Sequence, residues 1–224
     1  MKNRLFGGRH DMFRDADEQM VISGAVERDA PPAICLAGDF ERVTSVQEET
    51  DWQVERDRLQ PGRHVHGATV AYRIPDVIMA HGNLFSKNSY LSLRKYDGPN
   101  VLAGAIEEID EAMLCTSFVA ERYFGHWLRD GLLYEELAAQ FGTAPLVCER
   151  KPWIHERGYR QALSLHARHI IRARIRKLWI VDDRGLNASW AARLGALRGR
   201  LRAAAPPAGP RYVYLRRGVT GSPR

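Results

Sequence analysis

The chain of 224 residues is long enough for one large domain or two small ones, and its 45% hydrophobic and 27% charged content excludes wholesale disorder. The formal net charge is +6, and all but five of the 33 Lys and Arg residues are Arg, whose planar donor fork favours phosphate and carboxylate partners. No run approaches transmembrane length, residues 1–15 contain no apolar signal segment, and Cys35, Cys115 and Cys148 fit no metal or disulfide spacing, so a reducing cytoplasm is expected.

Residues 1–30 are polar and weakly periodic and read as a loose lead-in. Pro31-Pro32 then introduces Ala33-Ile34-Cys35-Leu36, an apolar run typical of a strand, before a charged and poorly patterned stretch, 39–62. From His64 the texture changes. Ala68-Thr69-Val70-Ala71-Tyr72 and Asp76-Val77-Ile78-Met79-Ala80 predict two strands separated by Ile74-Pro75, and residues 84–93 a third, so 64–95 reads as a β-meander. Residues 114–120 are strand-like. Phe124, Trp127, Leu128, Leu132, Leu133, Leu137 and Phe141 recur at helical spacing and predict a helix over about 121–141, closed by Gly142. A strand at 145–148, a helix at 158–170, a strand at 177–181, a basic amphipathic helix at 188–204 and a strand at 211–215 follow. Strand–helix alternation from residue 114 onward is the grammar of a parallel sheet with crossover helices.

Two constellations can carry chemistry. His126 and Asp130 are four residues apart, so on a helix they share one face, with Leu133 and Leu137 continuing it toward a domain wall. An imidazole oriented by a carboxylate can remove a hydroxyl proton. On spacing alone the plainer reading, a helix ion pair beside a core tryptophan, is the commoner one. The second is Val213-Tyr214-Leu215-Arg216-Arg217-Gly218, in which a strand delivers two arginines into a glycine-containing loop. Beyond the carboxyl end of a strand, arginine forks and loop N–H groups suit a diphosphate, and a basic tail without a specific ligand is the alternative. His64, His66 and His81 have no carboxylate or cysteine partner at a recognisable spacing, so no metal is expected there. The basic helix at 188–204 reads as a solvated face. The sequence contains no P-loop, GxSxG, HExxH or GxGxxG pattern, which argues against the common nucleotide hydrolases, serine hydrolases, zincins and dinucleotide dehydrogenases.

In order and separation, Phe124-Gly125-His126-Trp127-Leu128-Arg129-Asp130 and Val213-Tyr214-Leu215-Arg216-Arg217-Gly218 resemble the two motifs of glycosyltransferase family 61, the group that includes bacterial capsular-polysaccharide biosynthesis proteins. Tyr72-Arg73-Ile74-Pro75-Asp76-Val77 looks like the family's entry strands, and the resemblance covers about residues 64–224. It implies an α/β, GT-B-like chain. Residues 1–63 would be a polar lead-in, 64–170 a β-meander with a Rossmann-like acceptor-side domain, and 171–224 the start of an incomplete nucleotide-sugar-binding domain. Family members continue into an Asn-Glu element, so the chain is expected to be truncated at its C-terminal end. The implied reaction moves a sugar, with inversion, from a nucleotide-sugar donor to a saccharide acceptor in capsular or exopolysaccharide biosynthesis. His126 would be the base, Asp130 its orienting partner and Trp127 a structural neighbour, while Arg216, Arg217 and Gly218 would hold the donor diphosphate without a metal or other cofactor. Nucleic acid is not an expected partner, and the expected location is the cytoplasm with room for peripheral contact at the inner membrane. A non-catalytic remnant or binding protein of the same fold, and a basic nucleic-acid-binding domain, remain as alternatives.

Overall fold

The computed structural model of the protein describes residues 12–46, 50–87, 89–94 and 104–204. It is a mixed α/β structure built on one eight-stranded sheet. Two strands lie at its centre, β4 (Thr69–Ala80) and β10 (Arg172–Asp182), paired antiparallel over nearly their whole length from Ala80↔Arg172 to Val70↔Asp182. On the free edge of β4, β1 (Glu18–Ser23) pairs with its first half and β5 (Asn83–Phe85) with its last residues, and β6 (Tyr90–Ser92) extends from β5. On the other side of β10 the strands run parallel, β7 (Glu107–Leu114), β8 (Ala144–Cys148) and β9 (Arg168–Ile170) in that order. A separate ribbon joins β2 (Val26–Ala30) to β3 (Gly62–His66).

The helices occupy the crossovers that parallel strands require. Between β7 and β8 the chain runs through α2 (Phe124–His126), a π-helical turn (Trp127–Gly131) and α3 (Leu132–Phe141). Helix α4 (Glu156–Leu163) joins β8 to β9, and α5 (Ala188–Ala204) follows β10; the short α1 (Trp52–Asp57) stands apart from the main sheet in the N-terminal region. One sheet face packs Ile74, Val77, Met79, Ile109, Ala173, Ile175 and Leu178 into the larger core. The other packs Met113, Val147, Trp179 and Val181 under Leu137 and Ala138 of α3. Burial along β10 records this cover. Arg174 and Arg176 are exposed in its first half, whereas Leu178, Trp179, Ile180 and Val181 are buried in succession where both faces are covered.

Several elements depart from the sequence expectation for identifiable reasons. The two strands expected around Ile74-Pro75 are one twelve-residue strand, because Pro75 falls between the β1 pairing, which ends at Arg73, and the β5 pairing, which begins at Ile78. Its missing N–H therefore breaks no ladder on that edge. The strand expected at 114–120 is β7, which lies earlier and ends at Leu114. The helix expected at 158–170 stops at Leu163, where Ser164 takes a left-handed conformation and the N–H of Leu165 closes back on the Arg160 carbonyl; residues 168–170 are strand. Ala33-Ile34-Cys35-Leu36 is not a strand, and Ile34 and Leu36 are exposed. The lead-in holds β1 and β2. A division at 170/171 does not separate two sheets among the described residues, since β10 lies at the centre of the same sheet as β4 and β7. The strand expected at 211–215 lies outside the described residues.

The turn after β10 is pinned to the start of β4. A Cβ atom on Gly185 would run into the backbone carbonyl of Gly67, so only glycine permits this approach. His66 Nδ1 lies 3.1 Å from the Gly185 carbonyl oxygen, and Asn187 Nδ2 donates to the Gly67 carbonyl at 2.9 Å. The variant Gly185→Ala is expected to lower stability by about 1–3 kcal/mol through this backbone overlap, read as a lower urea midpoint.

Candidate functional site

The carboxyl ends of β7 and β10 open into a cleft of about 370 Å³. Ser117, Phe118 and Val119 line it from the loop after β7, His126, Arg129, Asp130 and Tyr134 from the helix, and Asp183, Arg184, Leu186 and Trp190 from the chain after β10. Open α/β sheets bind ligands in this position, since the loops there are free to vary while the strands fix their ends.

The helix enters the cleft through its π-helical turn, a form that recurs at functional sites. Gly131 closes that turn. A Cβ there would stand 3.3 Å from the Trp127 indole and 3.7 Å from the Cys115 carbonyl, so the small residue lets the turn lie against the end of β7. His126 Nδ1 and Asp130 Oδ2 are 2.8 Å apart, with side-chain exposures of 38% and 15%. Arg129 grips the same carboxylate, its Nε donating to Oδ1 at 2.7 Å and its Nη2 to Oδ2 at 3.1 Å. Arg129 Nη2 is also 3.3 Å from His126 Nδ1. Asp130 and Arg129 therefore compete for one ring nitrogen, and the shorter contact favours an Nδ1–H that donates to Asp130 and leaves the Nε2 lone pair free. The pair faces the cleft, whereas the sequence placed it on a face pointing inward.

The cleft floor is a buried polar cluster. Asp183 accepts from the Thr69 hydroxyl at 2.6 Å and from Arg193 Nη2 at 2.8 Å, and the Asp183 and Arg193 side chains are each only 3% exposed. Arg193 Nη1 donates to the Leu133 carbonyl at 3.3 Å. Asn187 donates to Thr69 Oγ1 at 2.9 Å while its own Oδ1 accepts the backbone N–H of Ser189 and Trp190, capping α5. The Tyr134 phenol is held above its ordinary range first by burial and then by the carboxylates of Asp183 and Asp130, so it stands in the cleft as a neutral hydroxyl.

Behind the cleft runs an ionic ladder. Arg150 reaches Glu121 at 3.8 Å and Glu156 at 2.7 Å, and Arg160 bridges Glu156 and Glu135. Trp127 is buried among Phe124, Tyr159 and the Arg160 guanidinium, which lies 5.7 Å from its ring centroid. Burial raises Glu135 to about 7 against the opposing pull of Arg160, and burial also raises Glu121. Glu156 is buried too, yet Arg150 and the Trp153 N–H hold it below its ordinary value.

Of the residues singled out from sequence, His126 and Asp130 line the cleft, Trp127 is buried behind them, and Arg216, Arg217 and Gly218 lie outside the described residues. Asp183, Tyr134, Asn187 and Arg193 were not anticipated. Asp183 directly follows an apolar strand, a position that can flag a site residue. Arg193 carried a misleading signal, since the basic helix reads as solvated and yet turns this arginine inward, while Arg198 and Arg202 remain exposed. His64 and His66 sit on β3 and His81 follows β4; among the described residues no group of three or more His, Cys, Asp or Glu could hold a metal. Likewise, among the described residues, no helix is long and apolar enough to cross a membrane. No protein-family model, curated protein or solved structure matches the chain.

Two stability measurements follow from this geometry. Arg193→Met strands a buried Asp183 carboxylate and is expected to cost about 3–5 kcal/mol in urea denaturation, whereas Arg198→Met on the exposed face of α5 leaves the midpoint nearly unchanged. The raised Glu135 means that the folded state binds a proton more tightly than the unfolded chain. Its contribution is therefore greatest below the ordinary glutamate value of 4.5 and is lost as pH rises toward about 7. Denaturation of the wild type and Glu135→Gln across that window should show the gap between them moving steadily in favour of the glutamine variant as pH rises; parallel curves would contradict the assignment.

Proposed function

We propose that this protein is a glycosyltransferase that moves a sugar, with inversion, from a nucleotide-sugar donor to a saccharide acceptor in cytoplasmic assembly of a capsular or exopolysaccharide. The reading rests on the His126–Asp130 pair at 2.8 Å, opening into a cleft beyond the carboxyl ends of β7 and β10. It is supported by the resemblance of both sequence motifs to glycosyltransferase family 61 and by a mixed α/β sheet compatible with the GT-B-like arrangement that family implies.

In this mechanism the acceptor hydroxyl enters the cleft and gives its proton to His126 Nε2 as its oxygen attacks the anomeric carbon from the face opposite the leaving group. The bond to the diphosphate breaks, and the nucleoside diphosphate departs with the electron pair. Asp130 fixes the ring through Nδ1–H and stabilises the imidazolium that forms, as the carboxylate does in a serine-protease triad. Arg129 holds both oxygens of that carboxylate. Arg216 and Arg217, with the backbone N–H of Gly218, would neutralise the leaving diphosphate, the work that a metal performs in other transferases. In this reading the neutral Tyr134 hydroxyl, in the cleft lining, would hydrogen-bond an acceptor sugar.

One observation favours a second reading, a non-catalytic binding protein of the same fold. Arg129 already neutralises Asp130, so the Arg–Asp–His group is satisfied without a substrate.

A nucleotide-sugar transfer or hydrolysis assay separates the two. The transferase reading expects His126→Ala to lower turnover by about 10²–10⁴-fold while nucleoside-diphosphate binding is retained. It expects Arg216→Ala to weaken that binding by about ten-fold or more. Absence of turnover by the wild type with any nucleotide-sugar, or equal and salt-sensitive diphosphate binding by the wild type and Arg216→Ala, would overturn it.

A further inference from the structure

We propose that the surface formed by the loops after β7, β8 and β10 docks on an anionic lipid bilayer, with the mouth of the cleft opening toward the headgroups. Because β7, β8 and β10 run parallel, their carboxyl ends deliver three loops to one edge of the sheet. Each loop exposes a large apolar side chain. The loop after β7 presents Phe118, Val119 and Tyr123, that after β8 presents Ile154 at 90% exposure, and that after β10 presents Leu186. Isolated exposed apolar residues need no explanation; these share one edge, and Phe118, Val119 and Leu186 also line the cleft. The loops after β7 and β8 touch, since Arg150 reaches Glu121 at 3.8 Å and the Phe124 ring lies 6.1 Å from Trp153 and 6.3 Å from His155.

The charges on this edge are one-sided. Arg122, Lys151, Arg157 and Arg184 are exposed in these loops and the first turns of the helices that follow them, while Arg129 is offset by its pair with Asp130. Glu121, Glu156, Asp130 and Asp183 are buried or half-buried in internal pairs, and Glu149 is the one exposed carboxylate among the described residues of these loops. Arg122 lies over the Phe118 ring at 3.8 Å, so a cation and an apolar group project together. Arg184, although paired with Asp182, keeps most of its side chain in solvent.

Aliphatic and aromatic side chains that enter the headgroup–acyl boundary, ringed by cations that meet lipid phosphates, are the chemistry of interfacial attachment. Nucleic acid would be served by the cations and the Phe118 and Tyr123 rings, whereas the exposed aliphatic Val119, Ile154 and Leu186 add nothing to base stacking and suit the acyl boundary. The basic helix α5 is the competing surface. Its exposed side chains, such as Arg198 and Arg202, come with alanines and glycines and with no exposed large apolar group. Docking through the loop edge is independent of which group the cleft transfers, so vesicle binding and the transfer assay can fail separately.

The test is co-sedimentation of the full chain with vesicles of phosphatidylcholine alone and of phosphatidylcholine mixed with phosphatidylglycerol. The wild type is expected to bind the mixed vesicles and not the neutral ones. The variant Val119→Ser/Ile154→Ser/Leu186→Ser, whose sites are exposed and whose thermal midpoint should match the wild type, is expected to lose binding by about ten-fold or more. Arg122→Glu should weaken binding, and Arg198→Glu/Arg202→Glu should leave it intact. Failure of the wild type to bind mixed vesicles would overturn the proposal. So would loss of binding in the α5 variant with the loop variants unaffected, or release of the vesicles by a single-stranded oligonucleotide.

Discussion

The buried ion pair between Asp183 and Arg193 is the contact on which the arrangement of the site depends. It sits where four elements converge. Asp183 directly follows β10, Thr69 begins β4, Arg193 lies on α5, and the Leu133 carbonyl belongs to α3. A buried pair of this kind adds little net stability when intact, because desolvation offsets its attraction, but removing one partner leaves a costly bare charge. Its effect is therefore positional. It fixes the helix carrying His126, Asp130 and Tyr134 relative to the strand ends that form the opposite wall, and Asn187 reinforces the same junction by capping α5 while holding Gly67 and Thr69.

From that junction the cleft follows. The π-helical turn at Trp127–Gly131 brings Asp130 and His126 to the surface, and the buried Trp127 holds the back of that turn through Phe124 and Arg160. The ladder from Glu121 through Arg150, Glu156 and Arg160 to Glu135 ties the loop after β7, the loop after β8 and two helices into one unit. Glu135 follows Tyr134 directly on α3, so protonation in the ladder is coupled to the helix that carries the cleft residues. The apolar and basic loop edge is the outer surface of the same construction.

Much of this architecture was legible in the sequence. The helical recurrence from Phe124 to Phe141, the Gly142 cap and the alternation of strands and helices after residue 114 correspond to α2, α3, β8, β10 and α5, since long periodic segments encode burial directly. The i, i+4 spacing of His126 and Asp130 correctly implied a contact. What escaped detection depends on tertiary context. Residues 18–30 hold only the short apolar run Met20-Val21-Ile22 and form strands because β4 and β3 offer partners, not because their own pattern requires it. Pro75 reads as a break and is accommodated only because of where two neighbouring strands stop. Arg193 looks like one more surface arginine until Asp183, ten residues earlier, is seen to need a partner.

The central claim is that His126 is a base oriented by Asp130, and the protonation of its ring reports on it directly. Long-range proton–nitrogen correlation spectra of the His126 ring distinguish the two neutral tautomers. The account predicts the Nδ1–H form in the wild type, because the Asp130 contact at 2.8 Å is shorter than the Arg129 contact at 3.3 Å, and a change toward Nε2–H in Asp130→Asn. An Nε2–H ring in the wild type would mean that Arg129 donates to Nδ1, leaving no lone pair facing the cleft, and would contradict the claim.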